Sequence, residues 1–193
     1  MKVEDIRCNP VLRSSGFPPS GDLLMTPCTG PVFSYTPIGI IHSPFTEPAG
    51  MPIQPAGAEG IRGTILIDEQ FRDGLRDLPG FSRIILIYAF HPSQGYELEV
   101  IPFLDTVPHG IFATRAPRRP NAIGLSIVRL ISVNEGELVI EGVDVLDGTP
   151  LLDIKPYVPE FDCYPDGKSG WFAGCREKVV SMRADERYCR NGE

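Results

Sequence analysis

Proline and glycine interrupt this chain so often that a long helix has no room to run through it. Twenty of each lie among 193 residues. Proline removes a backbone donor, and glycine relaxes the φ restriction that keeps an element regular. Between the interruptions the apolar residues come in short runs. The longest compact one, Ile84 to Phe90, has seven residues and predicts a buried strand. The alternation of strands with long helices that builds a doubly wound parallel sheet is missing. Short strands gain from closure, because closure removes exposed edges. The expected fold is mainly β: a small, single-sheet, antiparallel-rich β-barrel with short helices.

The length suits one well-packed domain. Residues 1–33 hold scattered Pro, Gly and Ser without periodicity and predict an irregular N-terminal arm. From Tyr35, the residues Ile38, Ile40 and Ile41 lead into His42-Ser43-Pro44 as a strand that a proline stops. A Pro/Gly-rich connector, Glu47 to Gly60, precedes a strand at Arg62 to Ile67 with Ile65 and Ile67 on one face. Asp68 to Leu78 predicts a short helix with Asp68 as its cap and Phe71, Leu75 and Leu78 as its apolar stripe. Pro79-Gly80 stop it. Strands are expected at Arg83 to Phe90, Glu97 to Ile101 and Ile111 to Thr114. A hairpin of Ile123 to Val133 with Glu137 to Val143 turns at Asn134-Glu135-Gly136. The barrel domain is placed at 34–162, and 163–193 form an extension packed on the barrel or on a partner subunit.

A formal net charge of −7 argues against wholesale coating by nucleic acid, but it permits a local basic stripe such as Arg115, Arg118 and Arg119. No apolar run approaches the length that crosses a bilayer, and the N-terminus has no continuous apolar segment. Cytoplasmic residence without membrane contact is the expectation. Five cysteines, an odd number without a C-x-x-C pair, predict reduced thiols with no shared task. A Cys163–Cys175 pair or an intersubunit link is the alternative. Three scattered histidines offer no metal site. The dinucleotide fingerprint, the P-loop, H-E-x-x-H and G-x-S-x-G are all missing. Dinucleotide oxidoreductases, P-loop ATPases, zincins and ordinary esterases therefore lose ground.

Two irregular segments carry the chemistry. In A-T-R-A-P-R-R-P-N-A-I-G-L-S, Ala113 to Ser126, Pro117 and Pro120 fix two φ angles and bias Ala116 and Arg119 toward extended geometry. Arginine forks suit carboxylate or phosphate, Asn121 adds a donor and an acceptor, and Gly124 admits a close neighbour. The plainer alternative is a structural loop whose arginines pair with acidic neighbours. In D-V-L-D-G-T-P-L-L-D-I-K-P-Y, Asp144 to Tyr157, a turn signal at Asp147–Pro150 gathers carboxylate, hydroxyl and backbone amides at one tip. Asp153, Lys155 and Tyr157 share one face of an extended segment. Here the alternative is a bare turn followed by a surface ion pair. His91, at a strand end, is better placed for a site than His42 or His109.

Taken in order, I-G-I-I-H-S-P-F, P-I-Q, the strand ending Phe90-His91 and the two segments above resemble the TsaA-like (TrmO) family of tRNA methyltransferases. The resemblance runs from about Tyr35 to Asp162. It implies a barrel that binds S-adenosylmethionine without a Rossmann fold and works as a homodimer. It also implies methylation of N6 of threonylcarbamoyladenosine beside the tRNA anticodon. Carried over by motif, the cofactor contacts are Pro52, Ile53, Gln54, His91, Arg115, Leu125, Asp147, Gly148, Thr149 and Pro150. Ile53 stands where the family has arginine, so a side-chain polar contact is lost there and a backbone contact survives. Arg115 suits the cofactor's carboxylate or a phosphate, Asp147 its amino group or ribose, and Leu125 the adenine face. His91 and Asp153 are both candidates for a base. Arg118, Arg119 and Asn121, with Lys155 and Tyr157, are assigned to the anticodon loop of the tRNA. Two other functions stay open: a non-catalytic S-adenosylmethionine or nucleotide-binding module, and methyl transfer to a different acceptor.

Overall fold

Inward and outward side chains alternate along six strands, and that alternation wraps them into a closed wall around an apolar interior. The computed structural model describes residues 33–188, so the arm expected before Tyr35 falls almost entirely outside the described residues. The wall consists of β1 (Gly39–His42), β2 (Arg62–Ile67), β3 (Arg83–Ala89), β6 (Ile123–Asn134), β7 (Glu137–Glu141) and β8 (Thr149–Pro156). They run in the spatial order β1-β2-β7-β6-β3-β8, and β8 pairs back onto β1. Every neighbouring pair is antiparallel. Between β3 and β6 lies a separate two-stranded piece, β4 (Glu99–Val100) with β5 (His109–Gly110).

Ile65, Ile84, Leu86, Val128, Leu138, Ile140 and Leu151 point inward and are almost wholly removed from water. Each contributes about 1.5–3 kcal/mol by burial. Together they fill the barrel, as side chains do in barrels of this size. Ile84 to Phe90 is therefore not buried on both faces: Ile85 and Ile87 sit half-buried on the outside. β6 and β7 meet at Glu135 and Gly136, both at positive φ (46° and 91°). This is the two-residue turn whose twist matches a hairpin.

Two expectations, and one alternative, are corrected. Asp68 to Leu78 is not an α-helix but a pair of 3₁₀ turns, Glu69–Leu75 and Leu78–Gly80, and Asp68 makes no side-chain cap. Gly74 inside so short a segment weakens α-helix, yet Phe71, Leu75 and Leu78 still pack on the barrel. Ile111 to Thr114 is not a strand. Ile111–Ala113 form a 3₁₀ turn, and Thr114 Oγ1 donates to Ile111 O at 2.9 Å, closing the chain on itself. Cys163 and Cys175 are both free thiols, so they are not paired. Cys8, Cys28 and Cys189 lie outside the described residues.

After β8 come α1 (Pro159–Asp162), a 3₁₀ turn at Gly170–Phe172, α2 (Arg176–Ser181) and a last turn at Glu186–Tyr188. This tail is tied to the body. Ala184 exchanges backbone hydrogen bonds with Gly50 and Met51, each at 2.8 Å. Trp171 Nε1 donates to Ala113 O at 2.7 Å, and Tyr188 Oη donates to Ile101 O at 3.0 Å.

Candidate active-site cavity

The loops at one end of the barrel surround a cavity of about 720 Å³. That lies within the span of roughly 300–1,000 Å³ usual for small-molecule sites. It is framed by the connector before β2, the residues following β3, the proline-flanked loop before β6, the β7–β8 loop and the tail. Of the residues expected to hold a cofactor, Pro52, Ile53, Gln54, His91, Arg115, Leu125, Asp147 and Thr149 all line it. Gly124 lines it as well. The two motifs, far apart in the chain, therefore share one cavity.

Local chemistry fixes each wall. Arg115 Nη1 donates to Gln54 Oε1 at 2.5 Å, and Gln54 Nε2 donates to Ile53 O at 2.7 Å. The P-I-Q triplet and the arginine loop are joined by this pair. Asp147 Oδ1 lies 3.0 Å from His42 Nδ1 and accepts the Ser43 amide at 3.2 Å. The His42 ring, and then the Ser43 amide, hold the Asp147 carboxyl below the usual carboxylate range. Gly148, at φ 76°, makes the turn, and buried Thr149 donates its hydroxyl to Leu146 O at 2.7 Å. At Gly124 the constraint is space, since a methyl group there would collide with the ring of Tyr88.

The three loop arginines have different tasks. Arg115 is exposed and faces the cavity. Arg119 also lines it, but its Nη1 donates to the loop's own carbonyls, Thr114 O at 3.2 Å and Ala116 O at 3.3 Å. Arg118 forms an ion pair with Glu97 at 3.0 Å and is not part of the lining. For Arg118 the structure thus shows the pairing with an acidic neighbour that was the plainer alternative.

Asn121, Gly148, Pro150, Asp153, Lys155 and Tyr157 are likewise not in the lining. Asp153 is expected as a base, and strict alternation from Thr149 and Leu151 would turn it inward. A bulge prevents this. Ile87 pairs with Asp153 and Tyr88 with Leu151, so Leu152 is an extra residue and the sidedness flips. Asp153 therefore faces out with Ile87 and meets Lys155 Nζ at 2.7 Å. Lys155 and Tyr157 sit at the far end of β8, where the Tyr157 amide donates to Arg83 O at 3.2 Å.

Sequence reasoning missed Asp144. Its Oδ1 accepts the Ser126 hydroxyl at 2.6 Å, and Ser126 Oγ lies 3.0 Å from Tyr88 Oη. Asp144 and Tyr88 both line the cavity, and Ser126 is buried behind them. Burial pushes the Asp144 carboxyl up to about 7, with the Ser126 bond and the charge of Arg115 opposing. The Tyr88 hydroxyl is raised by burial first and by the charge of Asp144 second. A signal existed in the sequence: Asp144 is a carboxylate set between Val143 and Val145, at a strand end where apolar residues dominate.

An antiparallel barrel with a largely apolar cavity across one mouth, carrying a few charged groups and framed by loops rather than by a Rossmann crevice, defines a class of small-molecule-binding β-barrels. Within it, the chain belongs to the family of the tRNA-methyltransferase O N-terminal domain, whose model matches residues 40–163. It is 51% identical over 154 residues to a probable S-adenosyl-L-methionine-binding protein of Pyrococcus abyssi, covering 80% of this chain and 84% of that one. It is 42% identical over 147 residues to a putative S-adenosylmethionine-dependent methyltransferase of Pseudomonas aeruginosa, with 71% and 62% covered. A mouse tRNA (adenine(37)-N6)-methyltransferase is 38% identical over 133 residues, 65% of this chain and 31% of the mouse protein. The crystal structure of TrmO from Pseudomonas aeruginosa superposes with a TM-score of 0.62 at 40% identity, covering 72% of this chain and 62% of that one. The chain thus spans less than two thirds of the Pseudomonas and mouse relatives.

Proposed function

We propose that this protein is an S-adenosylmethionine-dependent methyltransferase that methylates N6 of threonylcarbamoyladenosine beside the tRNA anticodon. The observation that carries the proposal is the meeting of Gln54, Arg115 and Asp147 around one cavity in a chain of this family. The names of the relatives support the donor and the kind of acceptor.

The cavity residues fit the donor's chemistry. Asp147, kept ionised by His42 and Ser43, suits an ammonium or ribose hydroxyls. Arg115 offers a guanidinium fork for a carboxylate or phosphate. Leu125, half-exposed on β6, offers an apolar face to adenine. Pro52 and Ile53 contribute backbone and apolar surface, so Ile53 needs no charge to take part. When bound, the cofactor supplies an electrophilic methyl on a sulfonium. The acceptor nitrogen is urea-like and weakly nucleophilic, so alignment supplies much of the acceleration. Arg119, at the rim beside Arg115, gives the mouth its basic side, where anticodon-loop phosphates would sit. Homodimer formation belongs to this proposal, and exposed Ile40, Leu66 and Ile131 on the outer wall supply apolar contact surface.

Labelled S-adenosylmethionine is to be incubated with the protein and tRNA that carries or lacks the threonylcarbamoyl group. Label on the modified tRNA alone is the expected outcome. Cofactor binding without transfer would instead support a binding module, as the name of the Pyrococcus relative suggests. Transfer to unmodified tRNA would overturn the acceptor assignment.

A further inference from the structure

We infer that Asp144 is the proton acceptor of the cavity: its second oxygen, Oδ2, receives the proton that the acceptor nitrogen must lose, while Ser126, backed by Tyr88, holds Oδ1 in place. The inference rests on the methyl-transfer function proposed above and names a residue for its missing base.

Elimination among the acidic groups of the cavity points there first. Asp147 is paired with His42 at 3.0 Å, and Asp185 with Arg187 at 2.7 Å. Glu47 is exposed at the rim. Among the described residues, Ser126 is the one side chain that hydrogen-bonds the Asp144 carboxylate, and it takes Oδ1 alone. The two bases expected from the sequence are less well placed. Asp153 is outside the wall, and His91 is exposed at the mouth, where water competes for it.

The hydrogen-bond directions lead to the same residue. A serine has one proton to donate, and Ser126 gives it to Asp144. Tyr88 must then donate to Ser126 across their 3.0 Å contact. The chain runs Tyr88 to Ser126 to Asp144, and each bond polarises the next. Both hydroxyl protons are thus committed toward Oδ1, which leaves the carboxylate as the place in this chain where a new proton can land. The charged and titratable groups facing Asp144 are Tyr88 from β3 and Arg115 from the proline-flanked loop. Burial sets its carboxyl at about 7, the range in which a general base is most effective near neutral pH.

The step balances. As the acceptor nitrogen bonds the methyl carbon, the C–S bond breaks and its electron pair stays on sulfur. The N–H bond breaks with its pair left on nitrogen, and the proton passes to Oδ2. One positive and one negative charge disappear together, a change favoured in a site of low dielectric.

Asp144→Asn and Ser126→Ala are to be made in the full chain. Turnover on modified tRNA is measured against pH, and S-adenosylmethionine binding is measured by calorimetry. In the wild type, kcat is expected to rise through about pH 7. Asp144→Asn should lower kcat by roughly 10²–10⁴-fold, flatten that rise and keep cofactor affinity within its order of magnitude. Ser126→Ala removes a bond that favours the charged carboxylate, so its rise should move to higher pH, an effect that a purely structural serine would not have. Carboxyl-labelled aspartate followed by NMR supplies a readout free of turnover: one resonance titrating near neutrality, absent from Asp144→Asn. Wild-type kcat in Asp144→Asn, or an unmoved profile in Ser126→Ala, overturns the inference. A wild type that methylates no tRNA overturns the function itself, and the inference with it.

Discussion

Asp144 carries a carboxyl whose ordinary value, 3.8, is pushed up to about 7 by its removal from water. Stability must follow pH as a result. Between those two values the folded protein keeps a proton that the unfolded chain has released, so the native state binds more protons. The stabilisation is complete below the unfolded value and is lost as pH rises through the folded one. The wild-type melting temperature should therefore fall between about pH 4 and about pH 7 more steeply than that of Asp144→Asn, whose amide does not titrate. Parallel curves from thermal denaturation would show that the buried carboxyl does not control this range. Arg118 teaches a related lesson at the same scale. Three arginines in five residues look alike in the sequence, but Glu97, present on a neighbouring segment, decides which of them is tied up.

At the scale of elements, the β6–β7 turn is the clearest case of local chemistry setting structure. Glu135 adopts φ 46°, a region that charges a non-glycine residue about 1–2 kcal/mol. Glu135→Gly should relieve part of that strain and raise stability by about 1 kcal/mol in urea unfolding. A loss of stability would mean that the Glu135 side chain does something the turn geometry does not reveal. β2 and this hairpin were legible from sequence because period-two alternation and turn residues act over short range. Arg62 to Ile67 is a strand over just those residues. Asp153 was not legible. Its sidedness depends on where β8 bulges against β3, and that register is a property of two strands far apart in sequence. Ile111 to Thr114 failed for a similar reason: an apolar run that short is compatible with strand or turn, and the Thr114 hydroxyl closed it into a turn. Asp144 showed its type in the sequence but not its burial, which arises only when β3, β6 and the β7–β8 loop come together.

For the molecule as a whole, the tail is part of the cavity rather than an appendage. Trp171, Phe172 and Tyr188 line it, yet all three lie beyond the residues matched by the family model. Trp171 is stacked on His109, with ring centroids 4.4 Å apart, and on Phe172 at 3.7 Å. It is also the single tryptophan in the chain. Titration with S-adenosylmethionine should therefore change the intrinsic fluorescence of the protein saturably, along the same curve as calorimetry. Emission that stays constant while calorimetry shows saturation would remove the tail from the ligand's surroundings.

The seam where β8 meets β1 carries one more implication. A wall stitched all the way round leaves no spare row of amides and carbonyls, so another chain cannot zip onto it as an added strand. A companion docking on this wall has to grip by side chains instead, and the greasy neighbours Ile40 and Leu66, opposite one another across the first pair of strands, are the natural handle.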